Sequence, residues 1–206
     1  MTFDPLHLPR SRVPAAPATV AEWLAIPEEQ RAELIDGRIV HHAMPGPRHG
    51  MVQSQLSGVL APGFGRRTGD ADRPGGWWIS QEVDMLLAGM GCRPDLLGWQ
   101  RDQHPRLPAP DARGVVTDVP EWICEVLSHS TAGLDMGAKR SGYHRAGVLW
   151  YWLADPIHRT LTVLRRTEPD YLIVLVASLG ERVRAEPFGA VEIDVGELFD
   201  FGDETA

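Results

Sequence analysis

Residues 121–156 read EWICEVLSHSTAGLDMGAKRSGYHRAGVLWYWLADP, and their order decides the fold. EWICEVL is an apolar run of strand length. Ser128, Ser130 or Thr131 then offers an N-cap, and the segment behind it runs with helical character to Gly147, a glycine placed to stop a helix. VLWYWLAD resumes as an aromatic-rich strand. Strand, helix and strand in succession predict a crossover, hence an α/β or α+β chain with a central mixed β-sheet flanked by helices.

Towards the N-terminus, Thr19 and Glu22 are spaced as a capping box opening a short helix, TVAEWLAI. Pro27 starts a second helical stretch, PEEQRAELID, closed by Gly37. RIVHHA reads as a strand, PGP as a turn, and RHGMVQSQLSGVLA as a helix with Met51, Val52, Gln55, Leu56 and Val59 near one face. Residues 62–76 form a loop or hairpin crossing. WWISQEVDMLL and RPDLLGW follow as strands, then the Pro-rich loop RDQHPRLPAPDARGVVTDV. Beyond residue 156, RTLTVLRR, YLIVLVAS and RVRAEPF complete the strands. Residues 1–17 read as a flexible lead-in, 18–200 as one domain and 201–206 as a tail.

The 206 residues suffice to bury a core, and 43% hydrophobic with 23% charged residues is an ordinary globular composition. No run approaches the roughly 18 apolar residues of a membrane span, and the N-terminus lacks the apolar centre of a signal peptide. Cys92 and Cys124 stand in no metal-binding spacing, and Cys124 reads as a buried thiol. A cytoplasmic location fits. The net charge of −8 argues against coating nucleic acid through bulk positive charge. Local binding stays open, because clustered carboxylates of a metal site would inflate the negative count.

Lys139 is the only lysine; the other 19 of the 20 basic residues are arginine. Lysine differs from arginine as a compact point charge whose pKa can move. A surviving surface lysine explains it as readily until its surroundings are considered. Asp95, in PDLLGW, and Glu125, in WICEVLS, lie among apolar neighbours, where a carboxylate needs a neutralising partner. Alone, Glu125 reads rather as a charge facing solvent on a half-exposed strand, and Asp95 as the cap of a turn. Together with Lys139 they read as a site for a hard divalent cation, Mg²⁺ or Mn²⁺.

ELIDGRIV, RHGMVQSQL, RPDLLGW, EVLSHSTAGLDMGAKRSGYHRAGV and WYWLADP, in that order, resemble the Uma family of putative restriction endonucleases, within the PD-(D/E)XK nuclease superfamily. The resemblance spans about residues 20–188. It implies a restriction-endonuclease-like core in which Asp95 and Glu125 bind metal, DNA as substrate, and a homodimer. The superfamily pattern places a lysine two residues after the glutamate; Leu127 stands there, and the resemblance assigns the role to Lys139, on the following helix. Lys139 would orient the attacking water or stabilise the transition state.

Four further residues are accessory candidates. Glu33, placed in the second helix, corresponds to an extra acidic position of the superfamily or is a helix-surface charge. His49 touches substrate phosphate or simply opens a helix. Glu82 shares a strand face with Asp84 and is a metal neighbour or an exposed charge. Tyr143, at i+4 from Lys139, lines the same face or packs; Asp135, at i−4, offers Lys139 an ordinary helix salt bridge. Two other readings stay open: a non-catalytic binding module on the same fold, and a hydrolase acting on RNA or branched nucleic acid. Arginines of residues 66–76 and 101–113 are candidate phosphate contacts. The tryptophans read as core or dimer-interface packing.

Overall fold

The computed structural model describes residues 16–70, 73–128 and 132–202. The lead-in and tail therefore lie mostly outside the described residues, as do Ser130 and Thr131. Helix α1 (Val20–Leu24) starts at the capping box: Thr19 Oγ1 accepts from the Glu22 amide at 3.2 Å, and Glu22 accepts from the Thr19 amide at 2.7 Å.

The stretch expected as a second helix divides differently. A single 3₁₀ turn covers Glu28–Gln30, Arg31 adopts a left-handed conformation, and Ala32–Ile35 is strand β1. Gly37 ends no helix. With Asp36 (φ 46°) it forms a two-residue hairpin turn (φ 70°), joining β1 to β2 (Arg38–His41) with Ile35 opposite Arg38. Asp-Gly with two positive φ values is the chemistry of a tight hairpin.

Helix α2 (Pro47–Phe64) begins with proline in its first turn and runs past the expected end, with Pro62 inside it. Its buried stripe is Val52, Leu56, Leu60 and Phe64, spaced by four; Met51 and Gln55 are exposed. WWISQEVDMLL is two strands. β3 (Trp77–Gln81) ends where Glu82 takes φ 48°, and β4 (Met85–Leu87) belongs to another sheet. Glu82 and Asp84 thus share no strand face.

β5 (Met90–Cys92), β6 (Leu96–Gln100) and β7 (Trp122–Val126) follow. The segment after β7 contains α3 (Ala132–Leu134), a π-helical turn (Asp135–Lys139) and α4 (Arg140–Ala146), closed by Gly147 at φ 97°. β8 (Trp150–Asp155), β9 (Thr160–Arg166), β10 (Tyr171–Ser178), the short β11 (Arg182–Val183) and β12 (Ile193–Asp194), and α5 (Val195–Leu198) complete the chain.

Six strands form the large sheet in the order β10-β9-β8-β7-β6-β3; four form a smaller sheet, β2-β1-β5-β4. Only β7 and β8 run parallel in the large sheet, as the helical crossover between them requires. The fold is thus mixed α/β, a large mixed sheet flanked by helices. Along β7, Trp122, Cys124 and Val126 pack on the α2 side, while Ile123 and Leu127 face the small sheet and Tyr143. This period-two alternation puts Glu125 on the second face. Trp77, Trp99, Trp122 and Trp152 are core residues, and both cysteines are buried thiols. Among the described residues no helix is long and apolar enough to cross a membrane.

Candidate active site

The register of β6 on β7 pairs Leu96 with Cys124. One residue away on each chain segment stand Asp95 and Glu125, so two non-adjacent sequence motifs meet on neighbouring interior strands of the large sheet. Asp95 is fixed from two sides. Its Oδ2 accepts the Val126 amide at 2.7 Å, and its Oδ1 lies 2.9 Å from His49 Nε2, in the first turn of α2. One turn later, Gln53 donates to the Asp95 carbonyl at 2.9 Å. The i,i+4 spacing of His49 and Gln53 places both on the helix face turned to β6.

Lys139 enters from the π-helical turn and is 3% exposed. Its Nζ reaches Glu125 Oε1 at 3.0 Å, Glu33 Oε2 at 3.1 Å and Asp135 Oδ1 at 3.3 Å. The helix salt bridge with Asp135 exists, but as one of three contacts inside the protein rather than on a solvated face. Tyr143 donates its hydroxyl to the same Glu125 oxygen at 2.6 Å. Glu33, a strand residue and not a helical one, is 3% exposed; its Oε1 accepts the Arg93 amide at 2.8 Å and its Oε2 lies 2.6 Å from His42 Nε2. A helix-surface charge is thereby excluded for Glu33.

Asp95, His49, Glu125, Lys139, Asp135, Glu33 and His42 line a cavity of about 130 Å³ that also meets Arg31, Arg93 and Ser128; Tyr143 and Gln53 do not line it. Glu82 does not line it; it accepts from Arg31 at 3.3 Å, while Asp84 holds Arg93 through two 2.7 Å bonds. Arg101, in a loop expected to contact phosphate, donates to the Trp77 and Gly65 carbonyls and stacks on Trp78.

Three carboxylates around one ammonium, with Asp95 acting on Glu125, set the electrostatics. Burial pushes Glu125 well above the ordinary carboxylate range; Lys139 opposes this, and Asp135, Asp95 and Glu33 reinforce it. Burial would also raise Glu33, but the Lys139 ammonium and His42 outweigh it and hold the carboxyl at about 2. Burial disfavours the charged form of Lys139, yet Glu125, Glu33 and Asp135 more than compensate, so its pKa rises and the ammonium persists. His49 is raised because Asp95 overcomes the effect of burial.

The sequence did not reveal His42, Gln53 or Arg93 as neighbours of this cavity. His42 follows the end of β2 and Arg93 the end of β5, so only the β1–β2 and β1–β5 pairings bring them to Glu33. Among the described residues, no group of three or more His, Cys, Asp or Glu side chains is gathered as a metal centre.

Residues 18–196 match the model of the Uma2 family, described as "putative restriction endonuclease". The chain belongs to this family. The Uma2 description is that of a nuclease, whose substrate is nucleic acid. A solved structure, a putative nuclease of DUF820 from Anabaena variabilis, aligns with a TM-score of 0.69. That likeness covers 89% of this chain and 98% of the other at 21% identity, and it speaks for the shared fold. No curated protein sequence matches the chain.

Proposed function

We propose that this Uma2 protein is a metal-dependent endonuclease that hydrolyses phosphodiester bonds in DNA, with Asp95 and Glu125 holding Mg²⁺ or Mn²⁺ and Lys139 assisting attack. The observation that carries the reading is the convergence of Lys139 Nζ on Glu125 Oε1, at 3.0 Å, in a cavity that Asp95 also lines. The donor set fits Mg²⁺, which takes one or two carboxylates and keeps waters for its other positions. The cavity has room for several waters, at about 30 Å³ each in the liquid. The ion, when bound, supplies Lewis-acid polarisation of the scissile phosphate and a water of lowered pKa.

The chain's own residues supply the rest. His49 and the Val126 amide fix the Asp95 carboxylate before substrate arrives. Tyr143 fixes Glu125 in the same way. Lys139 keeps its proton, so it works as a fixed positive charge that orients water or stabilises charge building on the phosphate, and not as a base. An arginine would be the poorer substitute, because its planar guanidinium is wider than the compact ammonium that the three carboxylates share.

The test is nicking of plasmid and single-stranded DNA with Mg²⁺ and Mn²⁺, comparing the wild type with Lys139→Met and Glu125→Gln. The second variant keeps the size of the side chain, so a folded, inactive protein separates chemistry from stability. Cleavage by the wild type alone supports the reading. Undiminished cleavage by folded Glu125→Gln would sink it.

A further inference from the structure

Arg31, Arg93 and Lys139 all line the cavity, and each is held differently. Lys139 is shared by three carboxylates inside the protein. Arg93 is gripped by Asp84 through two bonds of 2.7 Å, and its amide is committed to Glu33. Arg31 has the slackest hold. Both of its terminal nitrogens lie 3.3 Å from one oxygen of Glu82, Oε2, instead of forming a fork over both oxygens. A well-made guanidinium–carboxylate contact is shorter, about 2.7–2.9 Å. Glu82 itself stands outside the cavity, with its side chain 34% exposed.

The main chain at both ends of this pair is, by contrast, firmly placed. Arg31 has φ 44° and Glu82 φ 48°, left-handed conformations that residues with a Cβ keep only where their surroundings impose them. The His42 amide donates to the Arg31 carbonyl at 3.1 Å, and the Glu82 amide donates to the Pro94 carbonyl at 3.1 Å. Arg31 is thus tied to the partner of Glu33, and Glu82 to the neighbour of Asp95.

We infer that Arg31 is the substrate-phosphate contact of this cavity, and that Glu82 parks its guanidinium until a phosphodiester arrives. The inference rests on the nuclease reading for the identity of the anion, and adds the group that meets it. The carboxylates that would hold a cation also repel a phosphodiester. Lys139 cannot offset this alone, since three carboxylates already share its charge. A guanidinium presents paired N–H groups that match two phosphate oxygens. Exchanging Glu82 for phosphate replaces one anion by another, so the arginine is never left unpaired. The released Glu82 turns to water at small cost, because exposed ion pairs contribute little. A contact of this kind positions the backbone and reads no base, so its effect is the same for any sequence.

Fluorescence anisotropy of a short labelled DNA duplex, titrated with the full chain at several salt concentrations, tests the contact apart from cleavage. Ca²⁺ serves as the hard cation, and a gel afterwards verifies that the DNA is intact. Arg31→Gln is expected to bind about tenfold more weakly, as for one lost charge-assisted contact. Its slope of log affinity against log salt is expected to fall by about 0.9, one phosphate's share. Should Arg31→Gln melt early, Arg31→Lys carries the test: it keeps the charge and loses the fork, so the slope stays and the affinity falls. Glu82→Gln is expected to tighten binding in the wild type and to change nothing in an Arg31→Gln background. Equal affinity and slope in the wild type and folded Arg31→Gln would overturn the inference, as would a wild type that binds no DNA. Tightening by Glu82→Gln that persists in the double variant would overturn the part assigned to Glu82. Binding that depends on Arg31, with no cleavage in Mg²⁺ or Mn²⁺, would leave the phosphate contact standing and count against the nuclease reading alone.

Discussion

Lys139 Nζ and Glu125 Oε1 stand 3.0 Å apart, although one comes from a π-helical turn and the other from the central strand β7. The π turn adds one residue per turn relative to an α-helix, which rotates the helix beyond it. The result is that Lys139 and Tyr143, one turn apart, both reach the same Glu125 oxygen. Removing the ammonium leaves Glu33, Glu125 and Asp135 without their shared partner. Lys139→Met is therefore expected to lower stability by about 3–5 kcal/mol, the range for breaking a buried ion pair. Urea unfolding measures it; a loss below about 1 kcal/mol would place the lysine in contact with water, as exposed pairs are.

Tyr143→Phe removes a 2.6 Å hydrogen bond to Glu125 while keeping the ring packed against Tyr151. The cost to stability is expected at about 1–3 kcal/mol, the range for depriving a buried group of a hydrogen-bond partner. If Tyr143 holds Glu125 for catalysis, the rate constant falls while the fold remains. An unchanged rate constant in the folded variant would reduce Tyr143 to packing.

Glu33 gives a pH dependence with a definite sign. Its carboxyl sits at about 2 in the folded chain against an ordinary 4.5. A depressed folded pKa means the stabilisation is complete above 4.5 and is lost as pH falls from 4.5 through 2. The difference corresponds to stability on the order of 3 kcal/mol at neutral pH. Glu33→Gln should therefore melt lower than the wild type at pH 7, and the gap should close as the pH approaches 2. A gap that stays constant across this window would show that Glu33 does not keep its charge on account of Lys139.

Much of this site is legible in the chain because composition marks it: a single lysine, and two carboxylates set in apolar strand runs. β7 and β8 are equally legible, since their apolar runs and the stop at Gly147 agree. β1 is not. PEEQRAELID is built of strong helix formers, and only pairing with β2 and β5 turns its second half into a strand. Asp36-Gly37 is the one local signal, and a glycine there suits a helix stop as well as the hairpin turn it makes. The break of WWISQEVDMLL at Glu82 and the π turn before Lys139 are set by tertiary packing that no local pattern announces.

The same hairpin turn can be tested directly. Gly37 has φ 70°, and a Cβ there would approach Pro17 Cβ to 2.7 Å. Gly37→Val adds both a left-handed β-branched residue and a clash, so a loss of about 1–3 kcal/mol is expected. Because this hairpin positions Glu33, metal response should weaken with it. A variant as stable as the wild type would mean the turn relaxes into another form.

Asp95 provides the most direct reading of cation binding, since it can be followed without any substrate. A ligand that binds only the folded chain raises stability by an amount set by its concentration over its dissociation constant, about 2.7 kcal/mol at a hundredfold ratio. Mn²⁺ or Mg²⁺ should therefore raise the melting temperature of the wild type, and Asp95→Asn should abolish the rise. The amide keeps one acceptor for the Val126 N–H, so its fold is expected to survive. The His49 contact at 2.9 Å then separates two effects: His49→Gln leaves the carboxylate in place but loosens it, and the metal response should shrink rather than vanish. An equal rise in wild type and Asp95→Asn would place the ion elsewhere, and no rise in either would turn the weight towards a binding module that keeps the nuclease fold.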